Sequence, residues 1–232
     1  MEKSASTNRL ILIADILGFS NIVRNLNGEE LTSRIKDWTD LVDGLSKKYD
    51  LKEYQLLSDT LFLICEYNEK NIKALFALSR DLLTMGIEKS IPIKGAISYG
   101  EVYWGKLIYG KAVIDAHYIE IEQNWIGITC SSKVLDIQTY YGQGLVICYP
   151  PCFKSGKFTL MPVVNWDPPR GDDLFKKIVT KGLMKEGEQI ESKIVQMVDN
   201  TNTFRLYKHN ILNVRKLKTD QYHGTYHTNF LD

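Results

Sequence analysis

The sequence lacks the features that would place it in a membrane, on nucleic acid or outside the cell. Its 29 basic and 28 acidic residues leave a formal charge of +1, so no overall field attracts nucleic acid or an anionic membrane. No segment approaches ~18 uninterrupted apolar residues, and the opening MEKSASTNRL does not match a signal peptide. The 4 cysteines include no C-x-x-C pair, which argues against a zinc site or a disulfide framework. We therefore predict a soluble, cytoplasmic protein with reduced thiols and with neither a nucleic-acid nor a membrane partner.

The remaining features indicate a single folded unit. A chain of 232 residues is long enough for one domain with a continuous core. Apolar runs and helical periodicity predict elements in the order β, α, ββ, α, ββ, α, β. This order indicates an α+β fold, with a ferredoxin-like mixed sheet covered by helices on one side. We assign the core to residues 1–150 and expect residues 151–232 to form a C-terminal helical extension that packs on the same domain.

Local signals predict where each element lies. Strands are expected at 9–16, 125–130 and 144–149, with one hairpin in 54–67 that turns at Ser58 and Asp59 and another in 91–105 that turns at Gly100. Helices are expected from Ser20 onward and over 29–47, 70–86, 111–123 and 131–141. After a proline-rich link at 161–173, two further helices are expected on either side of Gly187.

Two acidic residues stand out because each follows or precedes a buried strand. Asp15 ends the apolar run of LILIADILGFSNIV, and Asp59 lies at the tip of the first hairpin. Carboxylates at the ends of adjacent strands can meet at one rim of a sheet. Such a pair suits phosphoryl transfer, in which two divalent ions roughly 3.5 to 4 Å apart align the attacking and leaving oxygens. Magnesium and manganese favour carboxylate oxygen, with water and phosphate completing the shell.

The turn after Asp15 has the composition of a phosphate-binding loop. Backbone N–H groups from Ile16 to Ser20 precede a predicted helix and point outward, which favours an anion such as a triphosphate. Gly18 lets that backbone approach a ligand closely because no Cβ stands in the way.

These motifs resemble the class III nucleotidyl cyclases over residues 9–149. Their pattern D-I-x-G-F-[ST] is matched by DILGFS, and the second metal aspartate by SDTLFLI. GAISYGEVYWG and YGKAVIDAHYIEIE approximate the strand and glycine-led helix that follow. The resemblance implies that Asp15, Asp59 and the carbonyl of Ile16 bind two divalent cations, Mn²⁺ or Mg²⁺. It also implies that Gly18, Phe19 and Ser20 contact the substrate, that the ribose 3′ hydroxyl attacks the α-phosphate, and that the sites form in a homodimer.

The sequence departs from the purine cyclases at four positions. Ile114 and Tyr118 stand where those cyclases have an asparagine and an arginine, and a tyrosine cannot replace a guanidinium. Gln55 and Leu107 stand at the base-selecting positions. Gln55 carries both a donor and an acceptor, so it can face the edge of uracil or cytosine, and the bulky Tyr54 or Tyr49 can shorten the pocket.

A narrower resemblance accounts for these departures. IKGAIS, EIEQNWIG and NTNTF are similar to segments of the solo bacterial pyrimidine cyclases of Pycsar antiphage systems. This resemblance implies that UTP or CTP is converted to the cyclic monophosphate, which a separate effector protein then reads. Lys94 is the leading substitute for the missing cation, and Lys181 and Arg205 are further candidates.

Three functional readings remain open from the sequence. The first is a metal-dependent pyrimidine cyclase, with UTP as the first choice of substrate. The second is a purine cyclase in which other side chains read the base. The third is a non-catalytic nucleotide-binding or dimerisation module, in which the missing asparagine and arginine reflect a missing reaction.

Overall fold

The fold is taken from a computed structural model of the chain, which describes residues 7–134, 140, 143–179 and 192–221. Seven strands and six helices span these residues. The strands are β1 (Thr7–Ile16), β2 (Tyr54–Leu57), β3 (Thr60–Glu66), β4 (Ile93–Val102), β5 (Gly127–Cys130), β6 (Val146–Tyr149) and β7 (Met161–Val164). The helices are α1 (Phe19–Asn25), α2 (Gly28–Tyr49), α3 (Glu69–Glu88), α4 (Lys111–Glu122), α5 (Gly171–Val179) and α6 (Ser192–Gln221).

The strands form one mixed sheet in the order β2-β3-β1-β4-β5-β7-β6. Only β4 and β5 pair in parallel; the other neighbours are antiparallel. β1 lies between β3 and β4, so its carboxyl end meets the beginnings of both neighbours. In this register Ala14 faces Leu61 on β3, and Asp15 faces Lys94 on β4.

The two faces of the sheet bury different helices. Alternate residues of a strand point to opposite faces, and β1 is apolar on both. Leu10 and Leu12 belong to the large core that contains residues of α2 and α3, whereas Ile11 and Ile13 pack with Ala112 and Ala116 of α4. The prediction of helices on one side only is therefore wrong, because α4 covers the second face. The predicted α+β class with a mixed sheet flanked by helices is confirmed.

Local signals explain where the long helices begin. Asn27 and Glu30 form a capping box at the start of α2, with the Asn27 side chain accepting from the Glu30 N–H at 3.1 Å. Asn68 caps α3 through the Asn71 N–H at 2.9 Å. Each cap satisfies a backbone donor that the first helical turn leaves without a partner. Within the described residues, no helix is long and apolar enough to cross a membrane.

The predicted second hairpin and the proline-rich link were assigned incorrectly. β4 runs unbroken through Gly100, whose φ of +148° occurs inside the strand opposite Arg9. The chain turns only later, where Tyr103 and Tyr109 form an isolated bridge. Residues 161–164 of the expected link form β7, which pairs with β5 and β6 in the sheet and buries Val163 and Val164. Most of the helix predicted at 131–141 and the break at Gly187 lie outside the described residues.

The C-terminal extension packs on the sheet through α6. Phe204 contacts Trp125 and Tyr149 in an aromatic cluster, with ring centroids 5.1 and 4.9 Å apart. The buried Thr201 hydroxyl accepts a hydrogen bond from the Ile126 N–H at 2.9 Å. These contacts fix the beginning of α6 beside the loop that leads into β5.

Candidate active site

Asp15 lies one residue before the end of β1, on the face of the sheet that α4 covers. The Thr60 hydroxyl donates to Asp15 Oδ1 at 3.0 Å. Because directly paired residues of antiparallel strands share a face, Asp15 and Lys94 project on the same side. The carboxylate therefore stands at the rim of the sheet, half-buried among residues of three adjacent strands.

Asp59 lies in the turn between β2 and β3, and its side chain is adjacent to that of Asp15. Ser58, just before it, adopts the left-handed conformation with φ +59°, which tightens the turn. Burial, the charges of Asp59 and Glu120, and a hydrogen bond with Asp59 raise the pKa of Asp15 to about 7, against the lowering effect of Thr60. The structure thus brings together the two acids that the sequence places on neighbouring strands.

This pair fits a divalent cation site. Two carboxylates held side by side repel each other unless a proton or a cation lies between them. The donors are oxygen atoms, which magnesium and manganese prefer. Across the described part of the chain, no group of three or more histidine, cysteine, aspartate or glutamate side chains is arranged to hold a metal. Substrate, water and backbone oxygens would therefore have to complete the coordination.

The glycine turn after β1 has the backbone form that the sequence suggests. Gly18 has φ +77° and ψ +16°, in the left-handed region, and precedes α1 without a side-chain cap. Its carbonyl accepts from the N–H groups of Asn21 and Ile22 at 3.0 and 3.1 Å. The N–H groups of Phe19 and Ser20 lie in the first turn, where helical geometry leaves donors without an intrahelical partner. Phe19 is half-buried, whereas Ser20 is exposed.

Lys94 lies close to this rim, but its charge is already balanced. The residue is 8% exposed, and its Nζ donates to the Glu120 carbonyl at 2.9 Å. It also forms an ion pair with the Glu120 carboxylate. Sequence reasoning gave Glu120 no role and missed its link to Lys94 and Asp15. The position of Glu120 on the inner face of α4, with Ala112 and Ala116, was the available signal.

The predicted base-reading residues do not lie together. Tyr54 and Gln55 alternate along β2 and so point to opposite faces of the sheet. Tyr54 packs on the side of α2, where its hydroxyl donates to Asp43. Gln55 lies on the side of α4 and donates from Nε2 to the Gly105 carbonyl at 3.1 Å. Tyr49 is also bound elsewhere, because its hydroxyl donates to Asp81 at 2.6 Å.

Three further candidate residues lie on helices α4 and α6. Ile114 and Tyr118 are 55% and 63% exposed on the outer side of α4. Arg205 donates from Nε to the Asn202 side chain at 3.0 Å within α6. Lys181 lies outside the described residues.

Comparison with known proteins gives a consistent picture of the fold. No protein-family model matches the chain, and no curated protein matches it. The catalytic core of a rhodopsin-guanylyl cyclase with converted specificity, in complex with ATPαS, matches with a TM-score of 0.56 and 16% identity, over 71% of this chain and 100% of that one. A bacterial light-regulated adenylyl cyclase matches with a TM-score of 0.55 and 16% identity, over 69% and 91%.

A third solved structure extends this set to a dimer. The non-canonical dimeric guanylyl cyclase domain of the RhoGC fusion protein from the aquatic fungus Blastocladiella emersonii matches with a TM-score of 0.55 and 16% identity, over 69% of this chain and 98% of that one. The chain therefore has the fold of the class III adenylyl and guanylyl cyclase domains.

Proposed function

We propose that the chain is a metal-dependent nucleotidyl cyclase that forms a 3′,5′-cyclic nucleotide and pyrophosphate from a nucleoside triphosphate. The juxtaposition of Asp15 and Asp59 beside the glycine turn is the observation that carries this proposal. Asp15, Asp59 and the Ile16 carbonyl would hold two divalent cations, Mn²⁺ or Mg²⁺. When bound, such ions neutralise phosphate charge and lower the pKa of the attacking hydroxyl.

The remaining groups of the turn bind and orient the substrate. The N–H groups of Phe19 and Ser20 face the phosphates, and Gly18 permits their close approach. The ribose 3′ oxygen then forms a bond to the α-phosphorus as the bond to the pyrophosphate oxygen breaks. Thr60 keeps Asp15 oriented through its hydrogen bond of 3.0 Å.

We further propose a pyrimidine triphosphate as substrate, with UTP ahead of CTP. Gln55 supports a pyrimidine, because its amide can serve either base by turning over, whereas the preference for UTP rests on the resemblance to the pyrimidine cyclases. It lies against Gly105, two residues before Leu107, so the two predicted base-selecting positions are near each other. Tyr54 is not part of the proposed base site, because its side chain projects from the opposite face of the sheet, toward α2. The matched structures favour a second candidate, a purine cyclase, because they are adenylyl and guanylyl cyclases.

The active form is proposed to be a homodimer. Exposed apolar side chains lie along the outer side of α4 and the preceding loop, at Leu107, Tyr109, Ile114 and Tyr118. Such a surface is typical of a protein interface; among the matched structures, one guanylyl cyclase domain is described as a non-canonical dimer and also as a monomer. Ile114 and Tyr118 carry no charge and cannot replace the arginine that the purine cyclases have on this helix. The alternative that the assay must exclude is therefore a non-catalytic nucleotide-binding module.

The cyclic product is proposed to act as a cytoplasmic second messenger in antiphage defence. Support comes from the segments IKGAIS, EIEQNWIG and NTNTF, which are similar to those of the Pycsar pyrimidine cyclases. A separate effector protein would read the product.

The test is to incubate the purified chain with each of the four ribonucleoside triphosphates and with Mn²⁺ or Mg²⁺, and to identify products by mass. Cyclic UMP or cyclic CMP is expected. Asp59→Ala is expected to abolish the product without unfolding the chain, whereas Asp40→Ala, which removes an exposed acid from α2, should leave it unchanged. A cyclic purine product would establish the second candidate, and no turnover of any triphosphate would refute the cyclase.

A further inference from the structure

A cavity of about 300 Å³ lies between the glycine turn and the C-terminal extension. Gly18 and Ser20 form one side, and Lys193 and Met197 of α6 form the opposite side. We call this cavity the extension pocket. One side of it is formed by residues that the resemblance to nucleotidyl cyclases does not cover, because α6 follows residue 149.

The polar rim of the extension pocket carries positive charge only. Arg24 of α1 and Lys193 of α6 both line it, and none of its described lining residues is acidic. Neither cation forms a salt bridge with a carboxylate of the described chain. Two cations without an anionic partner beside one cavity favour the binding of an anion.

The base of the pocket strengthens this preference. It is formed by apolar side chains that pack the extension against the core, among them Leu17, Ile126 and Ile194. Charges that stand above an apolar surface interact through a lower effective dielectric than charges in open water. Arg24 and Lys193 are both exposed to solvent, so this effect strengthens the attraction only where the anion displaces water from the apolar base.

A third cation, Lys154 of the extension, lies close enough to Lys193 to interact with it electrostatically. Burial and the charges of Lys94 and Lys193 lower the pKa of Lys154, outweighing the nearby Glu120 and Glu122. Lys154 Nζ donates to the Ile121 carbonyl, adjacent along α4 to the Glu120 carbonyl that binds Lys94. Lysines from β4 and from the extension therefore converge at the end of α4, and of Lys94, Lys154 and Lys193 only Lys94 forms a salt bridge with a carboxylate of the described residues.

We propose that the extension pocket binds the terminal phosphates of the triphosphate, with Arg24 and Lys193 in contact and Lys154 adding positive potential. This role rests on the proposed function, because it assumes that the substrate's phosphates lie at the glycine turn. It assigns to Arg24 of α1 and Lys193 of the C-terminal extension the role of phosphate-binding cations, which α4 lacks at Ile114 and Tyr118. The extension is then part of the active site.

Binding of tripolyphosphate in EDTA, measured by calorimetry, tests the pocket without metal and without turnover. The double variant Arg24→Gln/Lys193→Gln is expected to bind tripolyphosphate roughly tenfold or more weakly than the unaltered chain, because charge-assisted hydrogen bonds to phosphate are lost. Lys36→Gln/Lys47→Gln removes the same charge from the exposed surface of α2 and should change the affinity less than twofold. The conservative pair Arg24→Lys/Lys193→Arg should retain most of the binding.

Kinetics with the active triphosphate complete the test. The Gln double variant should raise KM while its thermal unfolding midpoint stays unchanged. Equal losses in both double variants, an unchanged KM, or no binding of tripolyphosphate by the unaltered chain would overturn the proposal. If the unaltered chain forms no cyclic product but the Gln double variant binds tripolyphosphate more weakly, the pocket is supported and the cyclase is refuted. Failure of the pocket proposal can therefore be distinguished from failure of the proposed function.

Discussion

Asp15→Asn is expected to stabilise the metal-free protein at neutral and alkaline pH. The substitution keeps the size of the side chain and an oxygen that can accept from Thr60, but removes the charge. Asp15 has a pKa of about 7 in the folded chain against an ordinary value of 3.8, and each unit of difference is worth about 1.4 kcal/mol. The ionised Asp15 therefore costs the folded state at most about 4 kcal/mol above pH 7.

The sign of this effect determines its pH dependence. Between pH 4 and pH 7 the folded chain holds a proton on Asp15 that the unfolded chain has released, so stability falls as the pH rises through this interval. Below about pH 4 both states are protonated, and the cost disappears. The stabilisation by Asp15→Asn should thus be largest near pH 8 and should shrink as the pH falls toward 4.

Urea unfolding in EDTA at pH 8, 6.5 and 5 measures the effect. Asp40→Asn serves as the control, since Asp40 is exposed on α2 and its replacement should give a small difference that does not vary with pH. Mn²⁺ should reverse the order of stability, because an ion that binds only the folded chain stabilises it by mass action and Asp15→Asn removes a ligand. A variant less stable than the unaltered chain at pH 8 in EDTA, or a difference independent of pH, would refute the reasoning.

Three further substitutions probe the surroundings of the site. Thr60→Val removes the hydrogen bond that lowers the pKa of Asp15, so Mn²⁺ affinity measured by calorimetry should weaken at pH 6.5 more than at pH 8. Lys94→Met leaves the buried Glu120 without its ion-pair partner and should lower the free energy of unfolding by about 3 kcal/mol; a loss below 1 kcal/mol would contradict the pairing. Gly110→Ala places a Cβ 2.3 Å from a carbonyl of β4 at a φ of +138°, and chemical denaturation should show a loss of about 2 kcal/mol or more.

The meeting of Asp15 and Asp59 was predictable because it depends on short-range rules. Two antiparallel strands in contact bring the end of one to the beginning of the other, and Ser58 with Asp59 marked the turn. The glycine turn was predictable for the same reason, since Gly18 follows a buried strand and needs φ > 0.

The errors arose where tertiary packing outweighed local signals. Gly100 resembles a turn residue, yet pairing with β1 continues through it. The proline-containing segment Met161–Val164 joins the sheet because β5 and β6 bury it. The separation of Tyr54 from Gln55 follows from strand alternation alone and could have been inferred once β2 was assigned. The approach of Lys193 to the glycine turn could not, because it depends on how α6 packs.

Acidic groups lie on one side of the glycine turn and basic groups lie on the other, and one type of ligand complements both. On the side of the sheet rim, the carboxyl groups of Asp15, Asp59 and Glu120 lie together, and Lys94 forms an ion pair with Glu120. On the side of the extension, the described pocket residues include two cations and no acid. A bare polyphosphate would satisfy only the cations of the pocket, and a metal ion alone would satisfy only the carboxyl groups of the rim. A polyphosphate that carries divalent cations at one end satisfies both, which is the form in which a nucleoside triphosphate enters the proposed reaction.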